Sequence, residues 1–309
     1  MTFNHVSVMP NEVIEAIVTN PSGIYVDCTL GGGGHSKLIA SKLNAEGMII
    51  GIDQDAEAIE AARMCLSDVN CQVRIVHSNF SKLDKILQEL DINEVEGILF
   101  DLGVSSHQID TAERGFSYIH NAPLDMRMDR SQSLTAHDVI NTYDEENLYK
   151  IFHEYGEERF SNRIARAIIN ARNDKPVDTT EELVKIIEKA VPFINKKSGH
   201  PAKRVFQAIR IEVNNELGIL NEAVKSAVSH LKSGGRIAVI TFHSLEDRII
   251  KAAFKTMASD CICPKDFPVC VCNHKAEIKI IGKQLTATDT ELENNPRAKS
   301  AKLRVAEKI

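Results

Sequence analysis

Over the first hundred residues, short apolar runs alternate with longer amphipathic stretches. The runs at Ile24–Leu30, Met48–Asp53, Gln72–His77 and Gly97–Leu102 are rich in branched side chains and bounded by turn-forming residues, which predicts strands. Ser36–Leu43, Ala56–Cys65 and Lys82–Leu90 carry apolar residues at helical spacing. Strand and helix patterns in strict alternation predict a parallel sheet covered by helices on both faces.

The alternation then stops. From Gly115 to Asn214 no strand pattern is found, while Glu145–Tyr155, Ser161–Arg172 and Thr180–Val191 have helical periodicity. Thr179-Thr180-Glu181-Glu182 reads as a helix start, with hydroxyl caps and early acids that suit the helix dipole. Leu217–Leu231 is again helical, Lys232–Gly235 reads as a turn, and Arg236–Phe242 reads as a buried strand. Ala276–Gly282 and Ala301–Ala306 alternate as strands would. The economical reading is one sheet, formed by residues 1–114 and 215–309, interrupted by an all-helical domain over residues 115–214. So long a stretch without structure of its own would be improbable. It enters after the fourth strand's tip, the edge where open α/β sheets bind ligands, and is expected to recognise substrate.

Composition narrows the class. The 309 residues can bury ample core, and 43% hydrophobic with 26% charged residues is ordinary for a soluble globular chain. No apolar run reaches bilayer length and the start, Met1–His5, lacks a signal core, so a cytoplasmic protein with no membrane partner is expected. Seven cysteines without regular spacing fit reduced thiols. A net charge of −6 excludes a broad positive field, so any nucleic-acid binding must rest on local patches.

The candidate chemistry begins at Val26–His35, where Gly31, Gly32, Gly33 and Gly34 join the first strand to a helix. Such a turn lets a ligand lie against bare backbone. Asp53, at the tip of the second strand, is placed to accept hydrogen bonds from ribose hydroxyls. Ser36 stands where a dinucleotide fingerprint has its third glycine, and there is no triphosphate-binding P-loop. A ribose acid without phosphate machinery fits S-adenosylmethionine; nicotinamide binding and a plain glycine turn stay open.

Asp101 ends the fourth strand. An exocyclic amine is a poor nucleophile because its lone pair is delocalised into the base, and a carboxylate can hold it pyramidal and take its proton. Asp101 can serve there, bond the methionine end of the cofactor, or merely cap the next turn. Phe80, after the third strand, offers a ring to an adenine or fills core. Gln108 lies within reach of the same edge. Phe116 and Tyr118, in a polar-aromatic loop, are candidates to stack on an extruded base. His243 closes the fifth strand as a candidate to orient substrate or to cap a helix.

Two segments are basic against the acidic background: Lys203 and Arg204, with Lys196, Lys197 and Arg210 nearby, and Arg297, Lys299 and Lys302 with Arg304. Together they are a candidate phosphate footprint, against the default of solvated surface. Cys261-x-Cys263 and Cys270-x-Cys272, flanking Pro264–Pro268, suggest a metal knuckle, with His274 close by. Zinc sites usually place two or more residues between paired ligands, however, so no metal is assigned and a thiol cluster is expected.

These motifs together resemble the bacterial small-subunit rRNA (cytosine-N4)-methyltransferases. The resemblance runs through His5–Met9, Asp27–His35, Gly51–Asp55, Asp101–Ser106, Arg114–Tyr118, Pro123–Asp129, Lys203–Ile211, Thr241–Arg248, the cysteine pairs and Asn295–Arg304. Ala56 departs from the family's usual proline and Asn121 from its usual aspartate. The resemblance implies a class I S-adenosylmethionine-dependent methyltransferase fold, a Rossmann-like doubly wound sheet carrying the helical insertion. It implies S-adenosylmethionine bound by Gly33, Gly34, His35, Asp53, Phe80, Asp101 and Gln108, with Asp101 catalytic. The implied acceptor is a decoding-centre cytidine of 16S rRNA in the small ribosomal subunit. A non-catalytic RNA-binding assembly factor with this fold is the alternative class, opposed by the intact glycine loop, ribose acid and Asp101. A homodimer is left open.

Overall fold

The computed structural model describes residues 7–192, 200–264, 267 and 269–309. The chain forms two compact units, residues 1–103 with 217–309, and residues 104–216.

The first unit opens α1 (Pro10–Ile17), β1 (Ile24–Asp27), α2 (Gly34–Ala40), β2 (Met48–Asp53), α3 (Ala56–Cys65), β3 (Gln72–His77), α4 (Leu83–Glu89) and β4 (Val95–Asp101). The helical unit follows with α5 (Ser106–Asp110), α6 (Ala136–Thr142), α7 (Glu145–Glu154), α8 (Ser161–Asp174), α9 (Thr180–Ala190) and α10 (Ala202–Asn214). The first unit resumes with α11 (Leu220–Ser229), β5 (Leu231–Thr241), α12 (Ser244–Met257), β6 (Ile278–Thr286), α13 (Asp289–Asn294) and β7 (Lys302–Lys308).

Seven strands make one sheet in the order β3-β2-β1-β4-β5-β7-β6. β1 to β5 pair in parallel, and β7 runs antiparallel to both β5 and β6. Strand order reverses between β1 and β4, so the crevice beyond their C-terminal tips is the switch point where such sheets bind ligands. Side chains along each strand alternate between two cores. Val26, Ile50, Ile98, Phe100 and Val239 pack with Leu83, Leu87, Val224, Val228 and Phe254 of α4, α11 and α12. Tyr25, Ile49, Leu99, Ala238 and Ile240 pack on the other side with Val13, Ile17 and Ile39 of α1 and α2. Burial on both faces explains why these strands read as continuous apolar runs, each large side chain contributing about 1.5–3 kcal/mol.

Two expected boundaries move for local reasons. β1 stops at Asp27 rather than Leu30, because the Asp27 carboxylate accepts the Thr29 N–H at 3.2 Å and turns the chain. The stretch Lys232–Gly235 is not a turn before the fifth strand but an irregularity inside it. β5 already pairs Leu231 with Val95, then shifts register, with Gly234 at φ 79°.

The helical unit begins at Val104, not Gly115. Its core joins Leu148, Ile151, Phe152, Ile164, Ile168, Leu183, Ile187, Val205, Phe206 and Ile209 to the loop residues Phe116, Leu124, Met126 and Met128. The loop over 114–129, expected to be a surface loop, is therefore built into this core. Arg114, 1% exposed, makes that possible by donating from Nη2 to the carbonyls of Arg127 and Met128, both at 3.0 Å. Arg127 in turn grips Asp125 through two nitrogens at 2.9 and 2.7 Å. Thr179 caps α9 as expected: its hydroxyl accepts the Glu182 N–H while Glu182 accepts the Thr179 N–H.

Candidate functional site

The tips of β1 and β4 carry a buried set of polar groups. Asp27 is 1% exposed, and its Oδ2 accepts from the hydroxyl of Ser36 at 2.7 Å, tying the first turn of α2 to β1. Burial lifts the Asp27 carboxyl above its ordinary value, against the pull of His35, Ser36 and Thr29. Thr29 Oγ1 accepts the Asp101 N–H at 2.6 Å. His35 Nε2 lies 3.5 Å from Asp101 Oδ2. Burial would depress the imidazole, but Asp101, with Asp27 and Glu291, outweighs it and raises His35 above its ordinary value. Asp101 Oδ1 is buried and has no hydrogen-bond partner among the described residues. An acceptor is thus held in place with one oxygen left without a donor among the described residues and open to a ligand.

The glycine loop has a second anchor. Gly31 and Gly33 take φ of 50° and 83°, the left-handed region that favours glycine. A Cβ at Gly33 would sit 3.3–3.4 Å from Ala62 and Cys65, so this glycine serves close packing of the loop on α3 as well as its turn. Asp53 accepts the Gly31 N–H on Oδ2 at 2.7 Å and the Asp55 N–H on Oδ1 at 2.8 Å. Each carboxylate oxygen keeps a second lone pair, enough for two ribose hydroxyls. Burial pushes the Asp53 carboxyl up to about 6, against those two N–H donors. Phe80, half-buried in a short turn after β3, sets its ring edge-on to Phe100 at 5.5 Å. Gly33, Gly34, His35, Asp53, Phe80 and Asp101 therefore share the C-terminal edge of one sheet.

The other expected residues make the following contacts. Gln108, 5% exposed, closes a capping box on α5, its Oε1 accepting the Ser105 N–H at 3.0 Å. Phe116 is 8% exposed in the helical core, so its expected stacking on a base is corrected: the buried ring has no free face to offer. Tyr118 is half-buried, stacked on His200 at 4.8 Å and edge-on to Phe206 at 5.9 Å. His243 is the N-cap of α12, accepting the Glu246 N–H while Glu246 accepts the His243 N–H at 3.2 Å. Of its two expected roles the capping one is realised.

Lys203 and Arg204 are exposed on the first turn of α10, with Arg204 reaching the Glu157 carbonyl at 3.3 Å. Arg210 is neutralised by Glu216 at 2.8 Å. Lys196 and Lys197 lie outside the described residues, as do His5 and Val6 of the N-terminal motif. Arg297 and Lys299 are exposed. Lys302 and Arg304 converge on Asp247 at 3.1 and 2.8 Å, so Lys302 is corrected from a free phosphate contact to part of an ion-pair network. Burial opposes ionisation of Asp247, but these two cations hold its carboxyl below its ordinary value.

Sequence reasoning missed three features. Asp27 and Ser36 were legible only as a strand end and a failed fingerprint. Glu291 accepts the Met9 N–H at 2.6 Å and is one of the acids acting on His35, a pairing across most of the chain. A groove on α8 and α9 is lined by Asn162, Arg163, Arg166, Asn170 and Lys189, none of which the sequence patterns singled out.

Comparison with known proteins gives the lineage. The ribosomal RNA small subunit methyltransferase H of Clostridium botulinum (strain Kyoto / Type A2) is 54% identical over 310 residues, covering 100% of both chains. The protein of that name from Clostridioides difficile (strain 630) is 54% identical over 311 residues, again covering 100% of both. A solved rRNA methylase from Streptococcus thermophilus covers 97% of this chain and 93% of its own at 11% identity and a TM-score of 0.42, too slight to add to the sequence matches. The model of the MraW methylase family matches residues 2–309. The glycine loop, Asp53 and Asp101 thus sit in a methyltransferase fold, and the chain belongs to the MraW methylase family.

Proposed function

We propose that this protein transfers the methyl group of S-adenosylmethionine to the N4 amine of a cytidine in small-subunit (16S) rRNA. The decoding-centre position is the one its motifs imply. The observation that carries the reading is Asp101: its backbone N–H is fixed on Thr29, its Oδ2 lies 3.5 Å from His35 Nε2, and its Oδ1 is buried and unpartnered among the described residues. Full-length relatives named for small-subunit rRNA methylation support the substrate class.

Bound S-adenosylmethionine supplies a methyl group made electrophilic by its sulfonium. The glycine loop and Asp53 hold its nucleoside, with Phe80 beside the base. With the cofactor bound, Asp101 Oδ1 would accept an N–H of the cytosine amine, localising the nitrogen lone pair, and would take the amine proton as the methyl group passes from sulfur to nitrogen, the S–C bond breaking to leave the neutral thioether. His35 lies beside Oδ2 at 3.5 Å, and Oδ1 is the oxygen without a partner among the described residues. The helical unit, residues 104–216, recognises RNA through Lys203 and Arg204, with Arg163, Arg166 and Lys189 as further phosphate contacts and Tyr118 as a base contact. Arg297 and Lys299 add a second patch. No helix among the described residues is long and apolar enough to cross a membrane, and the reading places the protein in the cytoplasm with ribosomal subunits.

The test is to incubate purified protein with small subunits and methyl-labelled S-adenosylmethionine, then to digest the rRNA and identify the labelled nucleoside by mass spectrometry. Label in N4-methylcytidine is expected. Label in another nucleoside, or none, overturns the reading.

A further inference from the structure

The segment joining α12 to β6 carries chemistry that methyl transfer does not use. Four thiols from two Cys-x-Cys pairs converge: one sulfur from each of Cys261, Cys263, Cys270 and Cys272 lies within 4.8 Å of every other. Cys270 Sγ is 3.6 Å from Cys272 Sγ, which is 3.8 Å from Cys261 Sγ. Disulfide sulfurs would be about 2.0 Å apart, and all four cysteines are free. A tetrahedral ion with metal–sulfur bonds of about 2.3 Å spaces its ligands by about 3.8 Å, which is the separation observed.

The surroundings favour anionic sulfurs. The N–H groups of Ile262, Cys263 and Val271 donate to Cys272, Cys261 and Cys263 Sγ, each at 3.4 Å. Such donors stabilise metal-bound thiolates and orient them. Hydrophobic burial does not hold this segment together: Ile262, Phe267, Val269 and Val271 are 52%, 52%, 69% and 66% exposed. The loop lacks a core of its own, the circumstance in which small folds rely on a metal. His274 does not join the four convergent sulfurs, and its Nδ1 bonds the Ser259 carbonyl at 2.7 Å, anchoring the segment's return. One intervening residue is no bar to a metal here, since the sulfurs within each pair and between the pairs lie within 4.8 Å of one another.

We propose that Cys261, Cys263, Cys270 and Cys272 bind one zinc ion in a closed tetrathiolate site that fastens the α12–β6 connection. Four protein ligands leave no open coordination position, which makes the site structural rather than catalytic. Four soft thiolates in a tetrahedron select zinc over hard cations. Binding forms four Zn–S bonds and releases the thiol protons to solvent, with no change in oxidation state.

The test uses the full-length protein, purified reduced from zinc-containing medium. Elemental analysis is expected to give one zinc per chain. After chelation under reductant, titration with Co²⁺ should produce the intense visible bands and sulfur charge-transfer absorption of tetrahedral tetrathiolate coordination, saturating at one equivalent. The double variant Cys261→Ser/Cys272→Ser should lose both signals, and Cys65→Ser should keep them. Absence of zinc from reduced wild-type protein together with an octahedral cobalt spectrum overturns the proposal, as does iron in place of zinc or a double variant that still binds stoichiometrically. Should the double variant not fold, the wild-type cobalt spectrum alone decides.

Discussion

At the strand tips of the sheet unit, acidic residues are fixed by neutral hydrogen-bond partners: Asp27 by the Ser36 hydroxyl, the Asp101 backbone N–H by Thr29, and Asp53 by the Gly31 N–H. In the helical unit the candidate cations Lys203 and Arg204 stand in solvent on the first turn of a helix. The first arrangement fixes groups to a fraction of an ångström before substrate arrives, which is what lowers a chemical barrier. The second leaves charges free to be screened and rearranged, which suits the collection of a polyanion but not bond making. Under the proposed function, the difference matches chemistry in one unit and substrate capture in the other.

The largest effect is expected from Asp101→Asn. The amide keeps the shape but loses the charge and the proton acceptor, so the single-turnover rate at saturating cofactor should fall by roughly 100-fold or more. Calorimetry on the same variant should show cofactor affinity changed far less; an equal loss in both would make Asp101 a cofactor ligand only.

Asp53→Ala should weaken S-adenosylmethionine binding by about 1–3 kcal/mol, because the ribose hydroxyls lose a charge-assisted acceptor. Unchanged affinity in a titration would detach Asp53 from the ribose. The same carboxyl predicts a pH dependence. Burial raises it to about 6, and the ribose hydroxyls favour its ionised form, so affinity should climb as pH rises through 6 and level off above. The expected gain is about tenfold between roughly pH 5 and pH 7, and Asp53→Asn should flatten it. The effect on folding has the opposite sign. With the folded value above the usual 3.8, the stability contributed by the protonated group is lost as pH rises from about 4 through 6. A thermal-melt series on ligand-free protein, with Asp53→Asn as control, measures that loss.

Lys203→Gln/Arg204→Gln should raise the subunit concentration needed for half-maximal rate several-fold and reduce the salt slope of binding by up to about two. Lys302→Gln should do less, because its charge is already paired with Asp247. An equal effect from Lys302 would mean that the ion pair opens on RNA. The smallest effect on turnover belongs to Phe116→Leu, which should cost stability by roughly 1–3 kcal/mol while leaving the rate per folded enzyme unchanged. A large drop in rate would restore the ring to the reaction.

What the sequence made legible was local. β2, β3 and α3 begin and end where the pattern places them, since each boundary is marked by its own residues: Asp53 ends β2, and Asp55 caps α3 by accepting the Glu57 N–H. The glycine loop, Asp53 and Asp101 were legible because a strand tip is a fixed place for a polar residue. Partnerships between distant residues were not. Nothing in the pattern pairs Ser36 with Asp27 or Glu291 with Met9, and the loop at Arg114–Phe116 has a surface composition because its arginine brings its own backbone acceptors into the core. His243 was ambiguous since its capping partner, Glu246, replaces the hydroxyl-led box with an imidazole-led one. The convergence of the two cysteine pairs was not legible, because the spacing within each pair says nothing of where the other pair lies.

The division between chemistry and capture is tested most directly by the single-turnover rate measured across subunit concentration for wild type, Asp101→Asn and Lys203→Gln/Arg204→Gln at saturating cofactor. The account predicts that Asp101→Asn lowers the plateau and leaves the half-saturating concentration in place, while the double variant shifts that concentration and reaches the wild-type plateau. A double variant with a collapsed plateau, or an Asp101→Asn plateau equal to wild type, would contradict it.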